Sequence, residues 1–206
     1  MRRLFVPDRD RLLKVIRDHL RENDLGDEFY KLCLRELDKI DLKEFTELDA
    51  RRIIKHFLDM WGQIPQATRR VDWERLAEVI RRNANRLVMF KNMDLGDVGD
   101  EEFERYVGEV KECYSEIRGV MGPTSTAKTL HIIAPRFLPL WDQPIRKAYE
   151  VSGSSKGYVE FMRKIREYWL KNESINSILR EFERETGLSR IRLVDIYNWR
   201  ILSKQP

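Results

Sequence analysis

Gly119-Val-Met-Gly122-Pro-Thr-Ser-Thr-Ala-Lys-Thr-Leu-His131 and, three residues further, Pro135-Arg-Phe-Leu-Pro-Leu-Trp-Asp142 form the stretch on which the reading of this chain turns. It joins a glycine-rich hairpin, a short helix and an aspartate that opens the next helix. Glycines at 119 and 122 allow a tight turn and leave amide N–H groups uncovered, and a helix N-terminus built this way binds phosphate without any side chain. Asp142 ends an apolar run and is followed by Gln143-Pro144, which places its carboxylate at a helix start close to whatever the hairpin holds.

Outward from this stretch, apolar residues recur at helical spacing almost everywhere, and no segment alternates with period two for long enough to make a sheet. The expectation is an all-α protein. Leu12, Leu13, Ile16 and Leu20 make one stripe; Phe29, Leu32, Leu34 and Leu37 mark a second helix after a break at Asp24-Leu-Gly26-Asp. A third begins near Thr46, an N-cap with Asp49 three residues on, carries Ile53, Ile54, Phe57, Leu58 and Trp61, and stops at Gly62-Gln-Ile-Pro65. Asp72 caps a long helix predicted to run to Phe90, followed by a loop over 92–100. The helix from Glu101 to Arg118 leads straight into Gly119, so it and Ser125–Ile133 are the two helices joined by the hairpin. A short helix to Tyr149, a linker-like Ser152-Gly-Ser-Ser155 and helices near 158–170, 175–186 and 191–201 complete the chain, with Gly187 as a C-cap.

At 206 residues the chain is long enough for a real core without staples. Its 36% charged and 42% hydrophobic residues include no apolar run near the length of a membrane span, and Pro7-Asp-Arg-Asp interrupts the basic, apolar start well short of a signal-peptide core. Two cysteines, Cys33 and Cys113, lie inside helical patterns, which predicts reduced thiols and a cytoplasmic location and excludes a four-cysteine iron–sulfur cluster. His19, His56 and His131 lack metal-ligand spacing, so no metal and no cofactor are expected. A net charge of +4 and a pI of about 9.0 permit nucleic-acid binding without demanding it. Arg51-Arg52 with Lys55, Arg69-Arg70 and Arg81-Arg82 are interleaved with acids and read as solvated faces. The abundance of Glu, Lys and Arg with little Gln points to a thermophilic source.

Gly-x-x-Gly-Pro-x-Ser-Thr-Ala, a helix, and then Pro-Leu-Trp-Asp-x-x-Ile-Arg-Lys resembles the hairpin and catalytic-aspartate segment of the helix-hairpin-helix DNA glycosylase superfamily, the group of endonuclease III and the adenine glycosylases. The resemblance covers roughly residues 117–150, about a sixth of the chain. It departs from the family in two ways: the glycines are three apart where the family spaces them two apart, and Ser125 stands where lyase-active members carry a catalytic lysine. Seventeen residues separate Ser125 from Asp142, close to the family spacing, and the nearest amine is Lys128 on the same helix.

The resemblance implies one domain over 1–206 with two helical lobes and a cleft: helices of 45–118 with the hairpin 117–134 in one, and 1–44 with 135–206 in the other. It implies duplex DNA with a modified or mispaired base as partner, and no membrane. Asp142 would stabilise positive charge on a deoxyribose as its base departs, or activate water; as an N-cap alone it would contribute about 1 kcal/mol. Lys128 would attack C1′ as a neutral amine, which requires its pKa to fall by about 3 units from roughly 10.4. Gly119, Gly122, Thr124, Ser125 and Thr126 would contact phosphate through amides and hydroxyls. Base extrusion costs a few kcal/mol and is offset by aromatic stacking. Among Trp61, Trp73, Trp141, Phe137 and Tyr149, Trp141 is singled out beside Asp142 as a base-pocket residue, with His131 as its companion.

Overall fold

The computed structural model describes residues 8–22, 25–60 and 68–203, and among these every regular element is helical. Trp61 and the expected helix stop at 62–65 lie outside the described residues.

Helix α1 (Arg9–Arg21) opens with Asp8, whose carboxylate accepts from the Arg11 amide at 3.0 Å, and buries Leu12, Ile16 and His19. Helix α2 is already formed at Leu25 and runs to Asp38; Gly26 is part of it rather than of a break. Its buried face is Asp27, Tyr30, Cys33 and Leu37, while Leu32 from the expected stripe is 48% exposed. The register is set by Tyr30, whose ring packs against Phe57 and stacks on His131. After a single 3-10 turn (Leu42–Glu44), the helical run 47–60, here α3, starts with the capping box that the Thr46/Asp49 spacing predicts, each residue's backbone N–H bonded to the other's side chain.

The long helix expected from 72 to 90 is two, α4 (Trp73–Arg82) and α5 (Ala84–Lys91). The junction is Asn83, fully buried, whose side-chain amide donates to the Val79 carbonyl at 3.0 Å and so competes with the backbone ladder. Its carbonyl oxygen takes the Cys113 thiol. Helices α6 (Asp100–Arg118) and α7 (Pro123–Ile133) flank the hairpin, with Pro123 at the first helical position. Then come α8 (Gln143–Ala148), α9 (Ser155–Ile165) prolonged by a π-turn (Arg166–Leu170), α10 (Glu173–Thr186) and α11 (Arg190–Asn198) prolonged by a second π-turn (Trp199–Ser203). Gly187 closes α10 at φ 71°, the left-handed C-cap its position predicts.

Helix α6 packs on α9 and α7; α7 also lies on α2, and α1 lies against α10 and α11. The buried apolar side chains form one contiguous cluster from Leu12 to Tyr197. The stretch 152–155 is not a linker. Ser154 caps α9 by accepting from the Gly157 amide, and the Gly153 carbonyl accepts a hydrogen bond from the Tyr114 hydroxyl. Both cysteines are free and buried, and burial pushes their thiols up to about 11 for Cys33 and about 12 for Cys113, far from thiolate reactivity. No described helix is long and apolar enough to cross a membrane.

Candidate functional site

The turn between α6 and α7 achieves its geometry without left-handed glycines. Gly119 has φ −64° and Gly122 has φ −68°, values open to any residue. A Cβ at Gly122 would meet nothing within 4 Å, so the absent side chain leaves room on the outer surface rather than relieving strain inside. The amides at 119, 120 and 121 bond back to α6, and that of Thr126 bonds to the Gly122 carbonyl. No side chain caps the start of α7, where Gly122 is exposed and Thr124 half-buried. The expected hydroxyl contacts are overturned: Ser125 and Thr126 are buried, and the Thr126 hydroxyl donates to the Gly122 carbonyl at 3.0 Å.

An aromatic cluster seats this turn. Trp141 Nε1 donates to the Pro123 carbonyl at 3.1 Å, and the Tyr114 hydroxyl bridges the Pro123 and Gly153 carbonyls at 3.4 and 3.2 Å. Trp141 is wholly buried among Tyr114, Tyr158 and Phe161, so its place in a base pocket is corrected: it holds the hairpin. Phe137 and Tyr149 are wholly buried and Trp73 nearly so; Tyr149 donates to Asn198 Oδ1. Of the two tryptophans that sequence reasoning passed over, Trp169 is wholly buried and Trp199 is 37% exposed, on the π-turn that packs against α8.

Asp142 is half-buried at the N-cap of α8, where Oδ1 accepts from the Ile145 amide at 2.9 Å. Lys128 is half-buried on α7. Burial holds its ammonium below the ordinary lysine range, opposed by the negative charges of Asp195 and then Asp142 and assisted by Arg192.

A buried ionic chain joins α11, α2 and α1. Asp195 accepts from Arg192 Nη1, Arg192 Nη2 donates to Asp27 Oδ1 at 2.7 Å, and Asp27 Oδ2 accepts from His19 Nε2 at 2.8 Å. Arg200 donates to His19 Nδ1 at 3.0 Å and pairs with Glu22 at 2.6 Å. Since Arg200 can only donate, the His19 proton sits on Nε2. Burial would raise Asp27, but the His19 hydrogen bond and the Arg192 charge outweigh it and hold the carboxyl at about 2. Asp195 is different: burial dominates Arg192 and Lys128 and lifts it to about 6. The signal for Arg192 and Asp195 is present in the sequence as two opposite charges, three residues apart, inside the apolar run Ile191–Tyr197.

His131 is likewise removed from the base pocket. It is fully buried; Nδ1 donates to the Leu138 carbonyl at 2.9 Å, which leaves Nε2 to accept from the Tyr30 hydroxyl at 2.9 Å. Burial, helped by Arg192, keeps it neutral down to about 3.

Around the hairpin, Arg118 ends α6 while Arg146 and Lys147 lie on α8, and none of the three has an ion-pair partner among the described residues. The Arg146 guanidinium sits 5.6 Å from the Trp141 ring centre and touches the backbone space of Gly153, where a Cβ would lie 2.4 Å from Nη1. Its Nε–H is buried without a partner. By contrast Arg51 and Lys55 on α3 pair with Glu47 and Asp59, and Arg82 pairs with Glu116. A surface cleft of about 410 Å³ lies between α6 and the end of α9, away from Asp142. No known family, no curated protein and no solved structure matches the chain.

Proposed function

We propose that this chain is a helix-hairpin-helix glycosylase-like protein that binds duplex DNA through residues 119–125 and hydrolyses the N-glycosidic bond of a damaged or mispaired base. What supports the reading is the order of hairpin, α7 and an aspartate capping α8, with Trp141 Nε1 bonded to the Pro123 carbonyl at the start of α7. Arg118, Arg146 and Lys147, without ion-pair partners among the described residues, supply phosphate contacts beside the uncapped start of α7 at Gly122 and Thr124. A helical fold with α1 packed on α10 and α11 is compatible with the two-lobed arrangement and cleft of that superfamily.

In this reading the C1′–N bond breaks with its electron pair going to the base, which takes up a proton. Asp142 stabilises the positive charge left on the sugar, and water adds at C1′ with loss of a proton. Where Lys128 is neutral it replaces water, and loss of the ring oxygen from C1′ then gives a Schiff base. Trp199 offers an exposed aromatic face on the segment against α8 for the extruded base. The test is excision across a panel of lesion-containing duplexes: the wild type cleaves at least one, and Asp142→Asn loses that activity by two or more orders of magnitude. Full excision by the Asn variant sinks the reading.

A second reading is favoured by the engagement of Asp142 Oδ1 in capping and by Ser125 at the family's lysine position. Here the protein is a nucleic-acid-binding module without catalysis. It predicts salt-dependent duplex binding with no excision and no borohydride trapping.

A further inference from the structure

The guanidinium of Arg146 lies where three segments meet. Its central carbon is 5.6 Å from the centre of the Trp141 ring, and its Nη1 takes the space beside the Gly153 backbone that a side chain would occupy. Pro123, the first residue of α7, borders the same space, its Cβ 3.3 Å from where a Cβ on Gly153 would stand. These walls are fixed. Trp141 Nε1 donates to the Pro123 carbonyl, and the Tyr114 hydroxyl ties the Pro123 and Gly153 carbonyls together. The chain also reaches Gly153 by a defined route. The Val151 N–H bonds to the carbonyl of Arg146 itself, and the hydroxyls of Ser152 and Ser154 bond to each other before Ser154 caps α9.

No acceptor holds the guanidinium in place. Its Nε–H is buried without a hydrogen-bond partner, and it forms no ion pair among the described residues, although Asp142 and Glu150 stand four residues to either side. A buried donor left unsatisfied is uncommon and asks what the group is kept for. Packed on an indole, an arginine keeps its planar fork ordered while its charge stays uncommitted. A guanidinium ordered in advance loses less freedom when it takes a phosphate.

We infer that Gly153 is a positioning residue: with no side chain there, Arg146 is held against Trp141 at the start of α7 as a preset contact for one phosphate of a nucleic-acid backbone. The inference deepens the proposed function and rests on it for the source of the phosphate, while the placement of Arg146 is testable without nucleic acid. Gly153 has no left-handed backbone angle to protect, and what a Cβ would meet first is the far end of a flexible side chain. Gly153→Ala therefore displaces the guanidinium and leaves the fold in place.

The test has two readouts on the full chain. In the first, the Arg146 Nε–H is followed by nitrogen–proton NMR without DNA, its signal identified by its loss in Arg146→Gln. Slow solvent exchange and the Trp141 ring should set it apart from exposed arginines, and Gly153→Ala should return it to them. A wild-type signal like that of exposed arginines, or one that Gly153→Ala leaves in place, overturns the inference; the former needs no variant of Gly153 to fold. In the second, affinity for an undamaged DNA duplex is measured across a range of salt. Loss of one phosphate contact makes the slope of log affinity against log salt shallower by about 1, which is expected of both Arg146→Gln and Gly153→Ala with unfolding midpoints close to wild type. The double variant should lose no more than Arg146→Gln alone. A wild-type slope in Gly153→Ala, or losses that add in the double variant, overturns the inference. A wild type that binds no duplex at any salt defeats the glycosylase reading and the phosphate role of Arg146 with it, while the NMR signal decides the pairing of Gly153 with Arg146 by itself.

Discussion

At the level of single residues, the buried polar groups near the candidate site are few and individually consequential. Tyr30→Phe removes the hydroxyl that donates to the buried His131 Nε2, so a loss of about 1–3 kcal/mol in urea unfolding is expected. His131 also makes stability depend on pH. Its pKa falls from 6.5 to about 3 in the fold, so the preference for neutral imidazole is fully present above pH 6.5 and is lost as pH falls toward 3. Asp27 adds to the acid loss, its contribution present above 3.8 and vanishing as pH falls through about 2. Asp195 has the opposite sign: raised from 3.8 to about 6, it contributes below 3.8 and that contribution is lost as pH rises through 6. Between pH 7.5 and 4 the two opposed contributions of His131 and Asp195 largely offset one another, so unfolding free energies should change little in the wild type and rise toward acid in His131→Gln, where Asp195 is left.

Local elements show where chain geometry follows sequence chemistry and where it resists. Helix α8 ends in a Schellman motif, with Val151 N–H bonded to the Arg146 carbonyl and Glu150 N–H to that of Lys147, but its left-handed position is Glu150 at φ 53°. Glycine is the residue this position favours, so Glu150→Gly is expected to stabilise the protein by about 1 kcal/mol, read as a rise in Tm. Thr46→Ala should do the reverse, about 1 kcal/mol, by breaking the capping box of α3. At the hairpin, Trp141→Phe keeps most of the ring packing but deletes the indole N–H held by the Pro123 carbonyl. Its effect should be to loosen the α7 start, which lowers duplex affinity at low salt more than it lowers the unfolding midpoint. Equal affinities for the two proteins would separate the Trp141 clamp from nucleic-acid binding.

Over the whole molecule, distant segments are joined by buried arginines rather than by apolar contact alone. Arg190 donates to Asn176 at 3.1 Å, Asp94 at 2.6 Å and Asp97 at 2.8 Å, tying the 92–99 loop to the C-terminal helices, and Arg166 reaches the Leu95 carbonyl and Asp100. Arg190→Met removes one of the two guanidinium partners of Asp94, leaving Arg136 at 2.8 Å, and frees Asn176 and Asp97; it should cost about 3 kcal/mol, with loss of cooperativity in the melt. Helix periodicity, the Thr46/Asp49 cap, the Gly187 stop and Asp142 as a helix-opening carboxylate were all legible in the chain, because each depends on residues within a turn or two of one another. The Asn83 break and the outward Leu32 were not, since partners on other helices decide them. Nor could local pattern tell that Trp141, His131 and Thr126 face inward, or that Asp27, Arg192 and Asp195 join in one buried ionic chain. Backbone preference is local and can be read from neighbours in sequence; burial and charge pairing depend on which helices meet, and the joining of residues 27 and 192 across the molecule was decided only when the chain folded.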